Sequence, residues 1–483
     1  MSLQAIESIQ LLDDPSGRIR ASRLVAPQAG GQMNPFAFSL RGWVVGASAP
    51  VRQVELVHGT REVAALPLSR PNLEVAREVG AGLAPVGRTA FRSRLLALRA
   101  LRRMGWLGMA EPGAARRLLH PDVLFNGFDA TVPLLGLPER CTLRLQARLD
   151  GGAAVPLADI HVRRPRLSPG GYAPRYRPLM VTSIGRSGST WFQHVISQHP
   201  QVAAYRTHGY EVTAAQQLAR LAIGATAQSP YTESFFAKKG FTDLVQSLPG
   251  GAEPVRRLVE LVGSGVEDLV QQALRSVDRF YALADTLDGR EPAGDGETRY
   301  FTEKNLRPEW FFWEAYSGAK EIFLVRDFRD VICSSLAANA KWGKRFFGRS
   351  AVGSDRDYIF HRAGMARPWI LEPWKERAGR AHLVHYEELI LDPERALAPA
   401  LDYLELDSSP SVVRAMLARA EEKQDRRGRD RHMTSGDARG SIGRWKTDLA
   451  PDLVEACNEA FAEFYAAFYA AAPASAAAPA AAL

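Results

Sequence analysis

A short run of small, polar and basic residues near the middle of the chain has the composition of an anion site. The run reads Gly185-Arg186-Ser187-Gly188-Ser189-Thr190. Apolar residues typical of a strand precede it at 179–184, and Phe192, Val195 and Ile196 follow it at helical spacing. We therefore predict a strand, a glycine turn and a helix, with Ser189 or Thr190 as the helix N-cap.

The predicted strand, turn and helix would make a cradle for an anion. Gly185 and Gly188 let the backbone come close to a ligand, and the free amides of the first helical turn point at it. Arg186 and the neighbouring hydroxyl groups add donors. The alternative is a βα turn that needs glycine only for its geometry. The run is not a Walker A loop, because no Gly-Lys-[Ser/Thr] sequence closes it. It favours a phosphate or phosphosulfate ligand.

A second candidate anion site follows another predicted strand, the apolar segment 321–325. Arg326 comes directly after this segment, and Ser334 lies eight residues later on the predicted next helix. A guanidinium group offers a planar fork to a phosphate, and the hydroxyl group adds a neutral donor. The alternative is a surface salt bridge of Arg326 with Asp327 or Asp330. Two such sites together indicate a ligand with two separated phosphate groups.

Strand-like and helix-like segments alternate in this half of the chain, which predicts a parallel sheet covered by helices. Ligands of such sheets bind beyond the carboxyl ends of the strands. We therefore expect the polar residues that follow Ile184, Val325 and His385 to face one crevice. The predicted strands and helices lie at 179–184, 299–305, 321–325 and 381–385, and at 189–199, from 331 onward and at 393–404.

Three motifs of this half resemble those of sulfotransferases that use 3′-phosphoadenosine 5′-phosphosulfate (PAPS). Gly185 to Trp191 resembles the family's 5′-phosphosulfate loop, and Arg326 with Ser334 resembles its 3′-phosphate motif, including the spacing. The run Arg439-Gly440-Ser441-Ile442-Gly443-Arg444-Trp445-Lys446 is similar to the C-terminal loop that closes over the nucleotide. The resemblance covers residues 178–468 and implies a P-loop-like three-layer α/β fold.

The resemblance also implies a role for each motif residue and implies that no metal is required. Arg186 would bind the 5′-phosphosulfate and act in catalysis, Arg326 and Ser334 would bind the 3′-phosphate, and the loop at 439–441 would close the site. The residues that would bind the donor are Arg186, Ser187, Gly188, Ser189, Thr190, Trp191, Arg326, Ser334, Arg439, Gly440 and Ser441.

A hydroxyl acceptor benefits from a nearby general base, and several residues qualify. The family places an acceptor-side base after the first helix, where this chain has His208 and Glu211. Glu303 is a further candidate, and Lys304 could assist the leaving oxygen. We place Glu211 first and His208 second. A purely structural role for each of these side chains remains the alternative.

Details of the motifs resemble the carbohydrate and tyrosyl-protein branch of the family. Arg186 stands where cytosolic small-molecule enzymes carry lysine, Ala438 and Arg439 precede Gly440, and Arg444 replaces an aspartate. These features imply a glycan or glycolipid acceptor. Two other functions stay open: a P-loop-like nucleotide kinase, and a nucleotide-binding protein without catalysis.

We expect two domains joined by a linker and followed by a tail. Residues 1–165 predict an all-β sandwich domain, with strands at 36–46, a hairpin at 51–66 that turns at 58–60, and strands at 127–134, 142–149 and 153–162. A basic insertion at 81–120 is either a helix packed on the sandwich or a peripheral membrane contact. We expect a linker at 166–177, the sulfotransferase-like domain at 178–470 and a disordered Ala/Pro tail at 471–483.

Bulk composition is that of an ordinary globular protein. The 483 residues are 46% hydrophobic and 24% charged, with a net charge of +8 that suits an anionic ligand. No apolar run approaches a membrane span, and no secretory signal is evident. Three distant cysteines predict a reducing compartment and no metal site. We expect a cytoplasmic enzyme that binds no nucleic acid; nothing predicts its oligomeric state.

Overall fold

The computed structural model describes residues 4–30, 32–33, 36–47, 49–68, 70–71, 125–167, 170–226, 252–294, 296–343, 346–422, 434 and 437–469. The predicted basic insertion at 81–120 and the predicted tail at 471–483 lie outside these ranges. The chain divides into two compact units, Met1–Arg166 with Ile223–Val266, and Leu167–Ala222 with Glu267–Leu483. The finer domain boundaries stay predictions.

The described part of the first unit contains two antiparallel sheets. Its strands are β1 Gln4–Leu11, β2 Ile19–Ala26, β3 Gln32–Met33, β4 Ala37–Gly46, β5 Val51–His58, β6 Arg61–Pro67, β7 Arg70–Pro71, β8 Phe125–Pro133, β9 Arg140–Leu149 and β10 Ala154–Arg163. One sheet has the order β3-β1-β10-β9-β5-β6 and the other has the order β2-β4-β8-β7. The predicted hairpin and the strands after it are confirmed, whereas β1 and β2 were not predicted.

These two sheets share one apolar core and so form a sandwich. Phe38 on β4 and Phe128 on β8 pack in the same buried cluster as Val54 on β5 and Leu143 on β9. Side chains alternate between the two faces of a strand, so every second residue of β9 points into this core. The predicted all-β sandwich is therefore confirmed.

A parallel sheet of order β12-β13-β11-β14-β15 forms the centre of the second unit. Its strands are β11 Tyr176–Thr182, β12 Val202–Ala203, β13 Arg299–Lys304, β14 Lys320–Val325 and β15 His382–His385. The described helices are α1 Ser189–Ile196, α2 Ala214–Thr226, α3 Ala252–Leu287, α4 Glu309–Ala315, α5 Phe328–Trp342, α6 Asp355–Ala366, α7 Glu372–Arg377, α8 Tyr386–Leu391, α9 Pro393–Tyr403, α10 Pro410–Glu422, α11 Trp445–Asp448, α12 Pro451–Ala460 and α13 Ala462–Phe468.

Helices cover both faces of this sheet, which makes three layers. On β14, Ile322 and Leu324 pack in the same cluster as residues of α1, α9 and α10. Phe323 and Val325, which point to the opposite face, pack with residues of α5, α6, α12 and α13. Near-continuous apolar strands are typical of a parallel sheet buried on both faces. The predicted α/β fold with a central parallel sheet is confirmed.

The helix after β14 begins earlier than its predicted start near Val331. The Asp327 carboxylate accepts a hydrogen bond from the backbone N–H of Arg329 at 2.9 Å and so caps the helix. Phe328 is therefore already helical. The predicted start was wrong because it relied on the spacing of apolar residues. That spacing does not show that Asp327 can cap the helix.

A buried charge cluster joins β14 to α4 and α7. The Arg377 guanidinium donates to Glu321 at 2.8 and 3.1 Å and to Glu309 at 3.3 Å, and all three side chains are at most 3% exposed. Burial raises the pKa of Glu321, and the charge of Arg377 opposes that shift. Glu321 therefore depends on Arg377 for its charge balance, whereas Glu309 also pairs with Arg307 at 2.7 Å.

Replacing Arg377 with Met should lower the free energy of unfolding by about 3–5 kcal/mol, because it leaves a buried carboxylate without its partner. The double variant Glu321→Gln/Arg377→Met should recover part of this loss. Denaturant unfolding of both variants measures the effect, with Arg356→Gln, a change in an exposed ion pair, as the control. A loss no larger than that of the control would contradict a dependence on this cluster.

Candidate functional site

The loop between β11 and α1 adopts the strand, turn and helix arrangement that the sequence predicted, but with a different helix cap. The N-cap of α1 is Gly188, whose φ is 87° and whose carbonyl accepts the amide of Phe192 at 3.0 Å. The predicted N-cap at Ser189 or Thr190 was wrong. A left-handed N-cap favours glycine over any residue with a Cβ atom.

Two aromatic rings explain why this loop contains glycine. A Cβ atom on Gly188 would lie 2.3 Å from the ring of Tyr386, and one on Gly185 would lie 2.8 Å from the ring of Phe347. We predicted that these glycines make room for a ligand. The structure shows that they make room for Tyr386 and Phe347, which follow in the chain by more than 150 residues, and their role in ligand binding stays a prediction.

Arg186 lies between these glycines in a strained backbone conformation. Its φ is 79°, in the left-handed region that residues other than glycine seldom adopt. The buried Arg362 holds the loop by donating to the carbonyl oxygen of Gly185 at 3.0 Å. Sequence reasoning missed Arg362, since nothing in its local sequence on α6 distinguishes it from a surface arginine.

The two predicted anion sites meet in the structure. Arg326, directly after β14, donates from Nη1 to the carbonyl oxygen of Arg186 at 3.3 Å. Arg186 Nε donates to Ser334 Oγ on α5 at 3.0 Å. The Arg326 guanidinium also packs 4.6 Å from the centre of the Tyr386 ring. Neighbouring parallel strands thus bring Arg186, Arg326 and Ser334 together at one end of the sheet, as we expected.

Arg326 is buried, so it does not form the surface salt bridge that was the alternative. Asp327 instead pairs with Arg329, at 2.6 and 3.0 Å. Asp330 accepts the backbone amides of Gly443 and Trp445. In the described part of the chain, Arg326 makes no ion pair with either aspartate, and its side chain is buried.

This cluster is positively charged and only partly hydrogen-bonded. Burial, together with repulsion by Arg326 and Arg444, lowers the pKa of Arg186 to about 10. Arg326 Nε and Ser187 Oγ are buried and have no hydrogen-bond partner among the described residues. Buried cations and orphaned donors are costly until an anion satisfies them. The residues present therefore fit an anionic ligand.

The predicted closing loop reaches the cluster through one of its three residues. Ser441 lies in the 3-10 helix Arg439–Ser441, accepts a hydrogen bond on its carbonyl oxygen from Arg326 Nη2, and has its Oγ 3.2 Å from the Tyr386 hydroxyl. Gly440 donates to Asp437, and the side chain of Arg439 is exposed. The structure brings Ser441 to the arginines, but it places the Arg439 side chain in solvent.

A carboxylate and an ammonium group pair at the end of β13, the strand next to β11. Lys304 Nζ donates to Glu211 Oε1 at 2.6 Å and to the carbonyl oxygen of Gly209 at 2.7 Å. Lys304 pairs with Val181 in the sheet, four residues before Gly185 of the loop at 185–190. Burial lowers the pKa of Lys304, and its hydrogen bond to Glu211 raises it. The structure thus joins two of the predicted acceptor-side residues.

Glu303 points to the other face of β13 and has a structural environment. Its buried carboxylate accepts the amides of Ala215 and Gln216 at the start of α2, at 2.7 and 3.2 Å, and the hydroxyl of Tyr281 at 2.6 Å. Burial raises the pKa of Glu303 to about 7, and these hydrogen bonds oppose the shift. Glu303 therefore caps α2.

The remaining predicted residues lie on α1 or near it. Ser189, Thr190 and Trp191 form the first turn of α1 and are half-buried. The backbone of His208 lies in the 3-10 helix Thr207–Tyr210, and its side chain is outside the described part of the structure. Within the described ranges, no group of three or more His, Cys, Asp or Glu side chains could hold a metal ion. No described helix combines the length and apolar character needed to cross a membrane.

A family model described as the sulfotransferase family matches residues 178–410. This segment contains the loop at 185–190, Arg326 and Ser334, and it ends before the C-terminal loop. A search of curated proteins finds no match.

Several solved structures are similar to part of this chain. The sulfotransferase domain from the curacin biosynthetic pathway is 15% identical and covers 60% of this chain and 98% of its own, with a TM-score of 0.33. The sulfotransferase domain of the Synechococcus PCC 7002 olefin synthase is 18% identical, covering 62% and 98%, with a TM-score of 0.32. A mouse sulfotransferase complexed with PAP is 13% identical, covering 61% and 85%, with a TM-score of 0.28.

Replacing Gly188 with Ala should lower the free energy of unfolding by about 1–3 kcal/mol from the left-handed backbone alone. The added methyl group would also displace the Tyr386 ring, which adds to the loss of stability. Gly364→Ala, on α6 with open space around it, is the matched control and should be neutral or slightly stabilising. Thermal and denaturant unfolding of both variants measure the difference. Equal stability of the two variants would contradict the assigned role of Gly188.

Proposed function

We propose that this protein is a sulfotransferase that moves a sulfuryl group from PAPS to a hydroxyl group, with a saccharide or glycan as the acceptor. The observation that carries the proposal is the meeting of Arg186, Arg326 and Ser334 at the carboxyl ends of two adjacent parallel strands. The sulfotransferase family model that matches residues 178–410 supports it. Ligands of parallel sheets bind at such strand ends.

The proposed donor fits this site at both of its charged ends. The 5′-phosphosulfate would bind at the loop before α1, where first-turn amides, the helix dipole, Arg186 and the orphaned hydroxyl of Ser187 all favour negative charge. The 3′-phosphate would bind to Arg326 and Ser334. The cationic side chains already present would stabilise both ends without a metal ion.

In the proposed reaction the acceptor oxygen forms a bond to sulfur, and the bond from sulfur to the bridging oxygen breaks, leaving its electron pair on the 5′-phosphate of 3′,5′-bisphosphoadenosine (PAP). The acceptor proton passes to a general base. Arg186 would stabilise the charge that builds up on the leaving oxygen, as fixed cations do in phosphoryl transfer. Lys304 would contribute a further cation at the neighbouring strand end.

Glu211 remains our first candidate for the general base and His208 the second. The side chain of Glu211 is 67% exposed, so an acceptor can reach it, and its contact with Lys304 fixes one carboxylate oxygen. Glu303 is less suitable, because the α2 amides and Tyr281 occupy its carboxylate. A general base must reach the proton that it removes.

The proposed glycan acceptor rests on the family branch that Arg186 resembles and on the presence of a separate β-sandwich unit in the same chain. Exposed aromatic rings in the second unit support it, because such rings stack on the apolar faces of sugars. Phe346 is 43% exposed and adjoins Phe347, which packs on the anion loop, and Trp369 is 45% exposed. We therefore propose that Phe346, which adjoins Phe347, contributes to the acceptor surface.

Replacing Arg326 with Gln should weaken PAP binding by about 10- to 100-fold, the effect of losing a charge-assisted hydrogen bond. Isothermal titration calorimetry measures the affinity, with Arg356→Gln as the matched surface control. The wild-type protein should also prefer PAP to ATP without magnesium. A preference for ATP with magnesium would instead indicate the kinase alternative.

Replacing Glu211 with Gln should lower turnover by about 10²- to 10⁴-fold, the usual contribution of a general base, and leave PAP affinity unchanged. Transfer of radiolabelled sulfate from PAPS to an extracted glycan pool measures turnover. A fully active Glu211→Gln enzyme would exclude Glu211, and loss of activity in His208→Asn would then assign the base to His208. No transfer by the wild-type protein to any acceptor would favour the non-catalytic alternative.

A further inference from the structure

The position of Arg444 in the C-terminal loop is fixed by a buried carboxylate on α5. Asp330 accepts the amide of Gly443 at 2.7 Å and the amide of Trp445 at 3.0 Å. These are the residues directly before and after Arg444. The Arg329 guanidinium also packs 3.8 Å from the centre of the Trp445 ring. The backbone of Arg444 is therefore held on both sides.

The hydrogen bonds of Asp330 place Arg444 close to Ser334, which is predicted to bind the 3′-phosphate. Asp330 and Ser334 are one turn apart on α5 and so share one face of the helix. Arg444 Nη1 donates to Thr434 Oγ1 at 3.2 Å, and Thr434 Oγ1 lies 3.2 Å from Ser334 Oγ. Ser334 Oγ in turn accepts from Arg186. Two hydroxyl groups thus lie between two guanidinium groups.

Three guanidinium groups, those of Arg186, Arg326 and Arg444, meet in this cluster. Arg444 pairs with Asp448 at 2.6 Å, whereas the hydrogen bonds of Arg326 go to carbonyl oxygens. Repulsion by Arg326 and Arg444 contributes to the lowered pKa of Arg186. A phosphate group at the two hydroxyls would accept from them and neutralise the arginines. Arg439, the arginine predicted for this role, has an exposed side chain.

We propose that Arg444 is a donor-binding residue that contacts the 3′-phosphate together with Ser334 and Arg326, and that it makes the site selective for adenosine nucleotides that carry this phosphate. The inference rests on the proposed function. In this proposal Arg444, rather than Arg439, is the residue of the C-terminal loop whose positive charge binds the 3′-phosphate. Asp330 acts on the nucleotide only through Arg444 and is a positioning residue.

The test compares two ligands that differ only in the 3′-phosphate, PAP and adenosine 5′-monophosphate (AMP). In the Arg444→Gln variant, the Kd for PAP should rise by about 10- to 100-fold, as expected for a lost charge-assisted hydrogen bond, while the Kd for AMP changes by less than about 2-fold. Arg444→Lys keeps the positive charge but lacks the planar guanidinium group. Its Kd for PAP should therefore lie between those of the wild-type protein and Arg444→Gln. Arg356→Gln is the control, and calorimetry gives both constants.

Retained AMP binding shows that the variant is folded. Equal loss of both ligands, or unchanged PAP affinity in Arg444→Gln, would overturn the inference, as would loss of the preference for PAP in Arg439→Gln instead. If Arg444→Gln does not fold, unchanged PAP affinity in Arg444→Lys would overturn it. A wild-type protein without any preference for PAP over AMP contradicts the proposed function itself, so the two failures are distinguishable.

Discussion

The site depends on holding like charges together at one edge of a parallel sheet. Arg326 donates to the backbone carbonyl of Arg186, and repulsion between the two guanidinium groups contributes to the lowered pKa of Arg186. The N-terminus of α1 adds the positive end of a helix dipole at the same place. Such an arrangement is unfavourable by itself, and a bound anion would relieve it.

The surrounding structure supplies what keeps these charges in place. The Tyr386 ring packs against both the Arg326 guanidinium and the backbone of Gly188, so that one aromatic side chain supports the two anion sites. Arg362 fixes the loop at Gly185 from the other side. Asp330 holds the C-terminal loop by its backbone amides. These contacts position the cluster, while Arg326 Nε and Ser187 Oγ have no hydrogen-bond partner among the described residues.

Several arginines elsewhere in the chain are paired with carboxylates, unlike Arg326. On the sandwich, Arg148 forms a two-point pair with Glu55, and Arg144 forms one with Asp159. The pair lowers the pKa of Glu55 to about 2, since the guanidinium favours the charged carboxylate. In the second unit Arg377 is balanced by Glu321 and Glu309. Balanced arginines of this kind stabilise a fold, whereas the cluster at Arg326 is suited to binding.

Local sequence determined the main parts of this protein. Apolar runs followed by glycine or by charge predicted β11 and β14, and the order of strands and helices implied that Arg186, Arg326 and Ser334 would meet. The strands β1 and β2 were not predicted. β2 is largely exposed, and its alternation shifts where Ser22 and Arg23 are both exposed. The N-cap at Gly188, the support from Arg362 and the position of Arg444 were decided only by tertiary structure. Each arises from contacts between residues more than 100 positions apart in the chain, and no local spacing records such contacts.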